Sequence, residues 1–231
     1  MGGITNFFSQ RYARTLKRFR RWGFRFQSLK SVFTTTYNNN LFGAEKSKSG
    51  PGSDLSQTAA IRDELPGLLK ELGVKSMLDA PCGDFYWMSQ VELGIERYVG
   101  GEIVPQLVAD NNRQYGGPAR SFVEVDLTAD ALPQVDLIFC RDCLVHLSYR
   151  HLFAALRNCK NSKAKFLLTT TFTARTENRD IVSGEWRPIN LELPPFSLPK
   201  PERVIVEKCM RRNGAHADKS MGLWKLDAIQ V

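Results

Sequence analysis

Between residues 54 and 171 the chain repeats one pattern, a short apolar run followed by an amphipathic stretch, and this alternation constrains the fold more than any other feature. Residues 76–80, 97–104, 121–125, 135–140 and 166–171 read as strands. Helices are expected over 54–65, with Pro66 starting or kinking a second piece to residue 72, from Pro105 onward, and over 149–159. Strand and helix in turn at this spacing predict an α/β sandwich, a parallel sheet with helices on both faces. Residues 203–207 and 222–229 follow with no helical segment between them and read as an antiparallel hairpin.

In such sheets ligands bind beyond the carboxyl ends of the strands, so the residues there carry the functional reading. The first strand runs into Asp79-Ala-Pro-Cys-Gly-Asp-Phe-Tyr-Trp87. Gly83 is its one glycine, so the three-glycine dinucleotide fingerprint is missing, and no Gly-Lys-Ser/Thr phosphate loop occurs elsewhere. A carboxylate, a tight turn, a second carboxylate and aromatics suit a ligand with a positive centre and no phosphate. Glu102 ends the second strand, where an acid can accept both hydroxyls of a ribose. Asp126 follows the third, where a carboxylate can accept from an adenine amino group.

A general base is expected after the fourth strand, in Cys140-Arg-Asp-Cys-Leu-Val-His146. If residues 142–146 form a helical turn, Asp142 and His146 share a face at i, i+4, and the carboxylate orients the imidazole. A structural histidine is the alternative. Arg141 suits an anionic group. Cys140 and Cys143 are half a zinc site without a second ligand pair, so buried inert thiols and no metal are expected. Residues 172–201 hold Pro188, Pro194, Pro195, Pro199 and Pro201, five of the 11 prolines. Segments this long are functional lids or disordered. Trp186, Arg187 and Asn190 suit a sugar, as ring face, guanidinium and amide, while Trp186 and Phe196 serve equally as pins for the loop.

Charge is unevenly spread. Residues 1–30 carry eight Lys or Arg and no acid, which leaves 24 basic against 24 acidic residues in the remainder. Phe8, Tyr12, Leu16, Phe19, Trp22, Phe26, Leu29 and Phe33 recur at helical steps, within an arc of roughly 140°. Such a helix suits an anionic membrane surface, nucleic acid, a targeting presequence, or packing on its own domain or a dimer mate, with Gly23 weakening it midway. Residues 38–53 are loop by composition, which divides a basic extension, 1–37, from a domain, 38–231. No apolar run reaches the roughly 18 residues of a membrane span, and the start lacks a secretory or myristoylation pattern. Five cysteines without framework spacing fit a reducing, cytoplasmic setting.

The order Leu78-Asp-Ala-Pro-Cys-Gly-Asp84, Gly101-Glu-Ile-Val104, Val125-Asp-Leu-Thr128 resembles class I S-adenosylmethionine-dependent methyltransferases. Ser49-Gly-Pro-Gly-Ser53, Gln57-Thr58, the 140–146 run and Gly184-Glu-Trp-Arg-Pro-Ile-Asn190 resemble a bacterial subset of that class associated with polysaccharide biosynthesis. The match runs from about residue 33 to the C-terminus. It implies a Rossmann-like doubly wound sheet of seven strands whose last two form a hairpin. It also implies S-adenosylmethionine as cofactor, bordered by Asp79, Ala80, Pro81, Cys82, Gly83 and Trp87, by Glu102 and Ile103, by Asp126 and Leu127, and by Cys140. The 49–53 loop with Gln57 would close over it. Ala80 and Cys82 stand where common members of the class have glycine.

The combined expectation is a metal-independent O-methyltransferase for a sugar or glycan acceptor, lipid-linked in one version. His146 with Asp142 acts as base, Arg141 binds an anionic acceptor or the cofactor carboxylate, and residues 8–33 contact the inner membrane face. Methylation of nucleic acid, protein or another small molecule is the rival enzymatic reading, though the neutral body argues against a nucleic-acid footprint. A non-catalytic module that keeps the cofactor fold is the third.

Overall fold

A computed structural model describes residues 22–43, 45–209 and 213–231 of the 231-residue chain. Seven strands form one sheet: β1 (Ser76–Asp79), β2 (Arg97–Glu102), β3 (Arg120–Glu124), β4 (Leu137–Cys140), β5 (Phe166–Phe172), β6 (Arg203–Val206) and β7 (Lys219–Lys225). Their spatial order is β3-β2-β1-β4-β5-β7-β6. The first five pair in parallel, and β7 runs antiparallel to both β5 and β6. The order reverses between β1 and β4, so a crevice is expected beyond their carboxyl ends.

Side-chain alternation divides the core in two. Leu78, Ile138 and Leu167 point to one face, under Leu152, Ala155 and Leu156 of helix α4 (Tyr149–Asn161). Met77, Leu137, Phe139 and Leu168 point to the other, under Ile61, Leu65, Leu68 and Leu69 of helix α2 (Ala59–Glu71). Central strands buried on both sides are what a near-continuous apolar run encodes. Helix α3 (Pro105–Tyr115) links β2 to β3 and starts at its proline as expected.

Three local expectations change. The helix expected from residue 54 begins at Ala59, and Pro66 lies inside it without breaking it, because four buried apolar residues hold both halves to the sheet. The last strand starts three residues before the expected one. Leu226 and Ile229 are apolar because they close the core beyond the sheet, and Leu226 N–H bonds to the Lys165 carbonyl. The stripe expected from Phe8 to Phe33 lies outside the described residues before Trp22. Beyond it, helical backbone stops at Phe24 and restarts in α1 (Leu29–Asn38), where the Ser28 side chain accepts the Ser31 N–H. Leu29, Val32 and Thr36 of α1 are buried, and Leu29 joins the main core, so this helix belongs to the body through the 37/38 junction. No described helix is long and apolar enough to cross a membrane.

Candidate active site

A cavity of about 480 Å³ opens beyond the carboxyl ends of β1, β2 and β4. Its floor holds Asp79, Ala80, Pro81, Cys82, Gly83 and Trp87 after β1, Glu102 and Ile103 after β2, and Asp126 and Leu127 after β3. Parallel strands end at one edge, so three acids scattered over 48 positions converge there. Cys140 is the exception among the residues expected around the cofactor. It is buried in the core and its side chain stays off the cavity wall.

Each acid is held differently. Asp79 accepts the Tyr98 hydroxyl at 2.6 Å, and burial pushes its carboxyl up to about 7 against that bond. Glu102 accepts the Gly83 amide on Oε2 and the amides of Ile103 and Val104 on Oε1, at 3.1, 2.8 and 3.2 Å. Burial still raises it to about 6, because these amide bonds only partly offset the lost hydration. Asp126 accepts both the amide and the hydroxyl of Thr128 on Oδ1.

Gly83 has φ +56°, and a Cβ there would sit 2.1 Å from Ser49 Oγ, so the turn can pass under the 47–53 loop only as glycine. Asp84 draws that loop down. Its carboxylate accepts the Ser47 and Ser49 hydroxyls and the Lys48 amide, and its own amide donates to Ser49 Oγ. Ser49, Pro51, Gly52, Ser53 and Gln57 thereby line the cavity from the N-terminal side. Bulk at positions 80 and 82 is accommodated by the neighbouring strand. A Cβ at Gly101 would meet Ala80 Cβ at 3.3 Å, and one at Gly100 would meet Cys82 Sγ at 3.0 Å.

The expected Asp142–His146 pair does not form. Residues Leu144–His146 make a 3-10 turn, not an α-helical one, and Asp142 has φ +55°. Asp142 instead accepts Lys219 Nζ at 2.6 Å, and Arg141 Nη1 lies 3.3 Å away. Burial acts to raise its carboxyl, but Lys219 and Arg141 outweigh it and hold the group at about 2. Arg141 itself forms a two-pronged pair with Glu207 at 2.6 and 3.0 Å, and Lys219 lies 2.8 Å from the same carboxylate. Arg141 is thus balanced from within and also donates to the Gly52 carbonyl at 3.0 Å, tying the N-terminal loop to the sheet.

His146 lines the cavity, and its Nδ1 lies 2.9 Å from the Glu185 carbonyl. A carbonyl only accepts, so Nδ1 carries the proton and Nε2 keeps its lone pair. Burial lowers the imidazole pKa below its ordinary value and so favours that neutral form. The segment 184–187 clamps the turn: Gly184 N–H donates to the His146 carbonyl and Arg187 N–H to that of Val145. The arrangement can take a proton at Nε2 with no carboxylate hydrogen-bonded to the ring, although the charge of Asp142 favours the protonated form.

Of the three residues expected to hold an acceptor, Trp186 alone reaches the cavity. Arg187 is fully buried and donates to the carbonyls of Leu144, Leu147 and Arg179. Asn190 is buried, donates to the Arg175 carbonyl and accepts the Glu192 amide. Both are structural. The cavity wall is completed by residues the strand-end reading did not reach: Phe33 and Tyr37 of α1, Phe42, Phe172 and His216, the last two against Trp186. Glu207 and Lys219 were also missed. The signal for Lys219 was available, because an antiparallel strand begins at the edge where parallel strands end, and Lys219 pairs with Phe172.

No protein-family model and no curated protein sequence matches the chain. Solved structures do. The methyltransferase domain of bacterial CtHen1, in its C form, matches with a TM-score of 0.54 at 14% identity, over 74% of this chain and 98% of that one. The CN form of the same domain gives 0.44 at 14%, over 50% and 66%. Human N-acetylserotonin methyltransferase in complex with SAM gives 0.52 at 14%, over 73% of this chain and 52% of that one. This chain therefore spans about half the length of the human enzyme. The sheet order, the antiparallel β7 and these superpositions establish the class I methyltransferase fold.

Proposed function

We propose that the protein is an S-adenosylmethionine-dependent O-methyltransferase that uses His146 as its general base. The observation that carries the reading is the convergence of Asp79, Glu102 and Asp126 on one cavity that a histidine held through Nδ1 also lines. The cavity lies in the range of sites for ligands of this size. Gly83 lines the cavity, and buried Asp79, its carboxyl raised to about 7, fits a ligand that brings positive charge. Asp79 would face the amino acid end, Glu102 the ribose and Asp126 the adenine amino group. When bound, the cofactor supplies an electrophilic methyl group on sulfonium sulfur. The chain's own residues then position the acceptor oxygen and take its proton at His146 Nε2.

Thermal melting with S-adenosylhomocysteine tests the cofactor. A ligand at about 100 times its dissociation constant adds roughly 2.7 kcal/mol, or about 5–10 °C for a chain of this size. The rise is expected in wild type and absent in Glu102→Ala. Folded wild-type protein that shows no rise would instead be a non-catalytic module.

Membrane contact belongs to the same proposal. Trp22 and Phe26 are 66% and 76% exposed and touch edge to face, beside exposed Arg25 and within the acid-free first 30 residues. Aromatics with basic neighbours suit an anionic bilayer surface. The full chain is expected to float with vesicles containing phosphatidylglycerol and not with pure phosphatidylcholine. Trp22→Ser with Phe26→Ser should reduce flotation several-fold, and unchanged flotation of that variant rejects the contact. The glycan acceptor expected from sequence keeps Trp186 as its support, and the wall around that residue points elsewhere.

A further inference from the structure

We infer that the acceptor is a flat aromatic ring bearing the hydroxyl to be methylated, a phenol-type compound, bound between Phe42 and Trp186 beside His146. The inference rests on the methyltransferase reading and names its acceptor class. Phe42 packs on the His146 ring at 4.9 Å, and Trp186 packs on His216 and Phe172 at 4.9 and 6.0 Å. Phe33 and Tyr37 of α1 line the same cavity. Rings that line a cavity hold another ring by its face and edge, through contact area and quadrupole.

Polar groups decide against a polyhydroxylated acceptor. A sugar leaves several water hydrogen bonds behind and needs replacements, or it loses affinity. The guanidinium and amide that sequence suggested for this task donate to backbone carbonyls instead. Lys219 is held by Asp142 and Glu207. The side chains in ring contact with Trp186 and Phe42 are then Phe172 and the two imidazoles, His146 and His216, which suits a hydroxyl carried on an otherwise apolar ring.

Proton affinity points the same way. A phenol, with a pKa near that of tyrosine at about 10, gives its proton to an imidazole of about 6.5 with an uphill factor of roughly three thousand. An aliphatic hydroxyl, close to water, is a far weaker acid, so the same transfer is steeper by several powers of ten, and burial of His146 makes both steeper. In the balanced step the acceptor O–H proton passes to His146 Nε2. The oxygen forms the new O–C bond to the methyl of the sulfonium donor, and the broken C–S pair stays on sulfur as a neutral thioether. The imidazolium then returns its proton to water.

Calorimetric titration of the full chain, saturated with S-adenosylhomocysteine, tests this without turnover. Simple phenols carrying a second apolar substituent are expected to bind and methyl glycosides to give no heat. Phe42→Ala and Trp186→Leu should each weaken phenol binding about tenfold while S-adenosylhomocysteine binds as in wild type. Because Phe42 lies in a loop, its variant remains informative if Trp186→Leu fails to fold. Glycoside binding without phenol binding, or phenol binding unaffected by Phe42→Ala, overturns the acceptor class alone. Loss of S-adenosylhomocysteine binding in wild type overturns the underlying methyltransferase reading instead.

Discussion

Replacing Glu207 by alanine is expected to lower the melting temperature by about 6–20 °C, the largest single-residue effect on stability in the cavity wall. The side chains of Glu207 and Arg141 are 1% and 4% exposed, so neither has water to fall back on. Glu207 accepts two guanidinium bonds and faces Lys219. Truncation leaves two buried cations sharing Asp142. Removing one member of a buried pair costs about 3–5 kcal/mol, mostly through the charge left behind, and each kcal/mol is worth about 2–4 °C at this size. Glu207→Gln should fall between, since it keeps the shape and loses the charge. Arg141 also carries the Gly52 carbonyl, so the alanine variant should show a smaller stabilisation by S-adenosylhomocysteine. Melting curves of the three proteins, with and without ligand, check both points. A loss under about 1 kcal/mol would falsify the claim that this network holds the wall.

His146→Ala is expected to reduce kcat about 100- to 10,000-fold with a hydroxyl acceptor, the span of general-base contributions. The pH profile gives the sharper sign. Activity requires the neutral imidazole, so kcat/KM rises with pH and levels off above the histidine pKa. Burial disfavours the imidazolium, so that limb should fall below pH 6.5, the ordinary value. In the alanine variant the limb should vanish along with the rate. Stability follows the same group. A histidine held neutral in the fold binds fewer protons than in the unfolded chain, so its contribution is present above pH 6.5 and declines as pH falls toward the folded pKa. A variant that keeps more than a tenth of wild-type kcat, with the acid limb intact, removes His146 from the proton path.

What could be read from the sequence was whatever a parallel sheet places automatically. Asp79, Glu102 and Asp126 each follow an apolar run, and strands running the same way deliver their ends to the same edge. Position along the chain predicts position in the site. Distant pairings broke that rule. Asp142 is drawn from His146 to Lys219, 77 positions away, and nothing local in the 140–146 run announces the partner. The orienting group for His146 is a backbone carbonyl, Glu185, and backbone atoms have no signature in a sequence. Arg187 has the composition of a binding residue, but its donors serve the carbonyls of the turn that carries His146. The aromatic wall was hidden because half of it comes from α1 and Phe42, in the stretch read as extension and linker.

The place of β7 has a consequence for the order in which the molecule can be made. It is the last of the seven to leave the ribosome, yet it lies inside the sheet, between β5 and β6. Until it arrives β6 has no strand beside it, β5 presents an open apolar edge, and the lysine that neutralises Asp142 and Glu207 is missing. Domains generally fold as units during synthesis, from the N-terminal side. Here the two halves of the cavity wall close only once residues 219–225 have emerged, so a nascent chain stalled before residue 219 would carry the three strand-end acids in place and no finished site.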